Sequence, residues 1–176
     1  MMTYFNKISP NNLLSNLPLH NKLIIWAARE WLNNIRLAKD PRYSLIKGFS
    51  QVFIQEAVYH FDKYMRITAC NAKGKIDIRS PCCLGVGDGE EDLLACLSFS
   101  QGGFHNFQKI ILGSFIKDDS IPNAKNSIDE VAKSFSRSGY FFHIEDAYLR
   151  KAKANPNDFK NVILNQFNKN DYMKYY

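Results

Sequence analysis

The chain has 176 residues, 45% of them hydrophobic and 14% aromatic, with a formal net charge of +6. That length suits one domain, 1–176. Thirteen Phe and nine Tyr supply enough apolar surface, at about 25 cal/mol per Å² buried, to exclude a disordered chain. Met1–Pro10 lacks a basic start followed by an apolar run, and runs such as Leu23–Ala28 fall far short of the roughly 18 residues of a membrane span. The expectation is a cytoplasmic protein that does not engage the membrane.

After Pro18, Ile24, Ala27, Ala28, Trp31, Ile35 and Ala38 recur at helical steps, which predicts an amphipathic helix to about Asp40, where Pro41 stops it. Its other stripe is Lys22, Trp26, Arg29, Asn33 and Arg36. Trp26 there is either an exposed aromatic in a basic surface or a ring packed under a later segment. From about Leu45 to Thr68 a second, central helix is expected. Phe49, Phe53, Ala57, His60 and Tyr64 make one apolar row, and Ile54, Val58, Phe61 and Met65 the next. His60 within that face is read as a core histidine rather than a ligand or base. Asn71 to Gly74 break the pattern, and Lys75–Arg79 alternates over too few residues for a sheet, so it is an extended connector.

The connector leads into Ser80-Pro81-Cys82-Cys83-Leu84-Gly85-Val86-Gly87-Asp88, a stiff turn that opens into an acidic helix start. Pro81 fixes its own φ and biases Ser80 to extended geometry, and the carboxylates from Asp88 onward suit the positive end of a helix. That third helix carries Leu93, Leu94 and Leu97 inward until Gly102-Gly103. A fourth follows with Phe104, Phe107, Ile111, Leu112 and Phe115 on its apolar face, up to a loop at Lys117–Pro122. Ser127-Ile128-Asp129-Glu130 has the form of a capping box, which predicts a helix from there to about Arg137, with Gly139 at its stop. Short helices are expected near 145–154 and 158–167. The segment from about 144 to 176 is basic, since Arg150, Lys151, Lys153, Lys160, Lys169 and Lys174 face only Asp158 and Asp171.

The four cysteines, Cys70, Cys82, Cys83 and Cys96, are read as reduced thiols, with Cys96 a small core residue. Neighbouring Cys82 and Cys83 do not bridge each other without a distorted peptide bond. If they are structural, at least one is expected to lie buried under the Leu93-Leu94 face. Cys70, Cys82 and Cys83 with a histidine are the candidate thiol or metal site, although no Cys-x-x-Cys is present. A thiol before a helix N-terminus is a candidate nucleophile with His60, His105 or His143 as base, but Asp88, Glu90, Glu91 and Asp92 disfavour a thiolate there. The same acidic cluster, and the missing Gly-Lys-Ser/Thr ending, exclude a phosphate cradle at Gly85-x-Gly87-x-Gly89. No residue set points to a cofactor or to catalysis.

Pro81-Cys82-Cys83, five residues, Gly89-Glu90, two residues and Leu93-Leu94 resembles the Pro-Cys-Cys…Asp-Glu-x-x-Leu-Leu signature of an uncharacterised family of small helical bacterial proteins. The resemblance covers roughly Leu19 to Phe115. It implies an amphipathic first helix and an aromatic second helix leading through an extended stretch into the cysteine turn, and it implies no activity. The chain departs from it at Gly89, where the family has Asp, and at Gly87, where it has a capping Ser or Thr.

The fold expected is all-α, an irregular helical bundle with a core over about 18–140 around the helix at 45–68. The function expected is a non-enzymatic helical interaction module for a protein partner, with Lys22, Trp26, Arg29 and Arg36 as its surface. The alternative is a nucleic-acid-binding regulator that uses that basic face with the basic C-terminal segment.

Overall fold

A computed structural model describes residues 13–143, and the helices expected near 145–154 and 158–167 lie outside them. The described residues are all-α, with six helices: α1 (Leu19–Arg36), α2 (Arg42–Ser50), α3 (Ala57–Asn71), α4 (Asp88–Gln101), α5 (His105–Phe115) and α6 (Ile121–Arg137). No helix among them is long and apolar enough to cross a membrane.

One hydrophobic core joins all six helices, with Ile25, Phe49, Phe61, Leu94, Phe107 and Phe135 among its fully buried side chains. α6 packs on α3, α4 and α5, while α1 and α2 pack on each other and both reach α3. The α3–α6 pair is therefore the axis of the body. α6 earns that place through Ala124, Ile128, Val131, Ala132 and Phe135, which recur at helical steps and are all buried.

The central helix expected over 45–68 is divided. α2 stops at Ser50, the Ile54 N–H closes on Phe49 O at 3.1 Å, and Phe53 takes φ 59° between them. This is the helix end that glycine usually supplies, with the left-handed residue just past the last turn. The break turns Ile54 inward and Phe53 outward, so Phe49 and Ile54 both reach the core from different helices. α1 ends in the same way, with Ala38 at φ 53°. His60, expected in the apolar face, is half-buried and meets Tyr59 edge-on.

One further boundary differs from expectation. α6 begins at Ile121, not Ser127, because Pro122 sits in its first turn, where its missing N–H costs nothing. Ser127 is buried in mid-helix and donates to Asn123 O at 2.9 Å, and Glu130 pairs with Lys133. α4 starts where the acidic cluster predicted, at Asp88.

Candidate functional site

The cysteine turn is held by backbone, not by thiols. Arg29 of α1 reaches across it, donating from Nη1 to Cys83 O at 2.6 Å and from Nη2 to Gly85 O at 2.7 Å. Its Nε and Nη2 also grip Glu90 at 2.7 and 2.8 Å, a bidentate pair with side chains 2% and 0% exposed. Glu90 in turn accepts the Arg79 N–H at 3.1 Å and the Gly87 N–H at 2.8 Å. The last contact is one half of a capping box, made without a side chain at Gly87. The hydrogen bonds to Glu90 push the Arg29 pKa up, so the guanidinium is charged at every ordinary pH.

The connector at Ile76–Ile78 lies against the first turn of α4. A β-carbon on Gly87 would come within 2.4 Å of Asp77 O, and one on Gly89 within 2.5 Å of the Ile76 side chain. At Gly87 the obstacle is backbone, so glycine is required; at Gly89 a side chain would force Ile76 to shift.

These contacts correct the basic stripe expected on α1. Arg29 is buried and committed to Glu90 and two carbonyls, so it is unavailable to a partner or a phosphate. Trp26 is half-buried and packs on α2, where a β-carbon on Gly48 would fall 2.2 Å from its ring. Lys22 is half-buried, and only Arg36 of the four is fully exposed. The cause is the cysteine turn folding over Arg29 and α2 folding over Trp26. The basic segment 144–176 lies outside the described residues.

The thiols do not converge. Cys82 and Cys70 are exposed, Cys83 is half-buried and Cys96 is buried. Neither Cys82 nor Cys83 is buried under Leu93 and Leu94, as a structural role had implied, because the carbonyls do the anchoring. Among the described residues no group of three His, Cys, Asp or Glu side chains could hold a metal ion. Burial pushes the Cys96 thiol well above its ordinary pKa, and Asp92 and Asp129 add to that, which makes it a poor nucleophile.

The unexpected surface is the outer face of α2. Tyr43 is 69% exposed, Ile46 48% and Phe53 84%; Tyr43 and Ile46 lie three apart on one side of α2, and Phe53 follows in the turn after it. Ile35 and Leu37 are also exposed beside them in sequence. Residues 36–56 carry Arg36, Lys39, Arg42 and Lys47 against Asp40 and Glu56. Asp40 is held by Arg42, whose hydrogen bonds draw its pKa down to about 2, and the Lys47 ammonium lies 4.4 Å over the Tyr43 ring. Arg36 and Lys39 make no ion pair among the described residues. The apolar periodicity concealed this face, because Phe53 falls in step with Phe49 and Ala57.

No family model matches the chain, and no curated protein or solved structure matches it.

Proposed function

We propose that the chain is a non-enzymatic helical interaction module that docks a partner protein through the outer face of α2, with Phe53 as the anchor. The observation that carries this reading is the cost of Phe53. A bulky residue in the left-handed region is an outlier, worth roughly 1–2 kcal/mol of strain, and here the ring gains almost no burial in return. Glycine would serve the helix end better. The net positive balance of this segment favours a partner with carboxylates around an apolar socket, to complement Tyr43, Ile46 and Phe53 with Lys47 over the Tyr43 ring.

Phe53→Gly separates docking from folding. It relieves the strain and costs about 0.5–1 kcal/mol in added chain entropy, so the melting temperature stays level or rises slightly. Capture from the lysate of its own cells should then yield a stoichiometric acidic partner with the native chain and lose it with Phe53→Gly, the retained complex weakening as salt rises. Equal capture by both proteins overturns the reading. So does a concentration-dependent dimer in sedimentation velocity that Phe53→Gly abolishes, because the face would then serve a second copy.

A further inference from the structure

A second feature stands apart from the α2 face. Between α1, α3, the start of α4 and the connector at 72–78 lies a half-open cavity of about 230 Å³, lined by Trp31, Tyr64, Thr68, Ile76, Leu93 and Phe115 among others. None of its lining side chains is charged. The walls are set by contacts already in place for other reasons. Trp31 donates its indole N–H to the buried Asp62 at 2.8 Å, which fixes the ring's plane at the cavity wall. The Lys73 N–H to Phe115 O bond at 2.8 Å and the Lys117 N–H to Asn71 O bond at 2.9 Å tie the end of α3 to the end of α5.

One polar pair, the Thr68 and Tyr64 hydroxyls, stands in this apolar wall, and the two interact with each other. Thr68 is 7% exposed, and its Oγ1 makes no hydrogen bond of good geometry. The Tyr64 hydroxyl lies beside it, and burial raises the Tyr64 pKa well above its ordinary value, so that phenol stays protonated and able to donate. A bound molecule with one hydrogen-bonding group gains here a polar contact that an all-apolar wall would not offer.

We propose that this cavity binds a small uncharged aromatic molecule of one or two rings, bearing one hydrogen-bonding group that meets Thr68 and Tyr64. Size supports one or two rings, since a dry cavity of about 150 Å³ already accepts benzene. The uncharged lining excludes an ion, whose desolvation nothing here would offset. Trp31 and Phe115 supply the aromatic walls.

The test uses the full chain with phenol, indole, toluene and benzoate as probes, read by tryptophan fluorescence and thermal unfolding. Phenol and indole should shift the emission saturably and raise the melting temperature, toluene should bind more weakly, and benzoate should do neither. Thr68→Val removes the hydroxyl at almost constant shape, and it should weaken phenol about threefold to tenfold while leaving toluene within about twofold. Ala72→Phe, which places a ring at the cavity wall, should abolish all binding. Three results overturn the proposal: no saturable response to phenol or indole, binding of benzoate equal to phenol, or phenol affinity unchanged in both variants.

Discussion

Replacing Arg29 by methionine keeps the bulk of the side chain but leaves the Glu90 carboxylate buried with only the Arg79 and Gly87 N–H groups, and orphans the carbonyls of Cys83 and Gly85. Breaking a buried pair from one side costs about 3–5 kcal/mol, because an uncompensated charge remains in the interior. Against a total stability of about 5–15 kcal/mol, that is a large share. For a chain of this size the melting temperature should fall by about 6–20 °C, at about 2–4 °C per kcal/mol. Glu90→Leu should cost a similar amount by stranding Arg29. The double variant Arg29→Met, Glu90→Leu should cost clearly less than the sum of the two, since both charges leave together and only backbone groups stay unpaired. Circular dichroism at 222 nm during urea and thermal unfolding measures all three. The reasoning is refuted if Arg29→Met costs under about 1 kcal/mol, or if the two single losses simply add.

Replacing both Cys82 and Cys83 by alanine should cost less than about 1 kcal/mol in urea unfolding, because the turn is anchored through carbonyls and neither thiol is buried; a loss of several kcal/mol would restore a structural role to the sulfurs. In thiol titration of the native protein, Cys70 and Cys82 should react at once and Cys96 only on unfolding, and early labelling of Cys96 would contradict its place in the core. Burial pushes the Asp129 pKa up, but hydrogen bonds from Lys125, Ser100 and Gln108 outweigh it and hold the carboxyl below its ordinary 3.8. Its contribution is therefore complete above that value and is lost as pH falls through the lower folded value. Asp129→Asn should destabilise the protein at pH 7 by about 1–3 kcal/mol and flatten the loss of stability below pH 4, whereas parallel acid profiles for the two proteins would remove Asp129 from the account.

The helices were legible wherever the apolar spacing had one interpretation. α1, α4 and α5 lie where Ile24 to Trp31, Leu93 to Leu97 and Phe107 to Leu112 placed them, since each set can face a core only as a helix. Periodicity could not show the break at Phe53, because Phe49 and Ile54 fit one straight face as well as two packed helices. A Ser-x-x-Glu spacing misplaced the start of α6, where Pro122 was the stronger signal. The fate of Arg29 was not legible at all. A helical projection shows that it shares a stripe with Lys22 and Arg36, but not that carbonyls 54 and 56 residues away fold over it. The acidic run carried half of that information, since its carboxylates were read together as suiting the positive end of a helix, which does not single out Glu90, the one that is fully buried. The exposed face of α2 was hidden for the same reason, as Phe53 had been counted among the core residues.

Photo-crosslinking from position 53 tests the docking face most directly. Benzoylphenylalanine in place of Phe53 keeps an aromatic ring at the same exposed point, and the same probe at Phe141, exposed in the segment after α6, serves as the control. The account predicts that irradiation in the protein's own cells gives one discrete adduct from position 53, with an acidic protein, and none from position 141. No discrete adduct from position 53, or the same adduct from both positions, would contradict it.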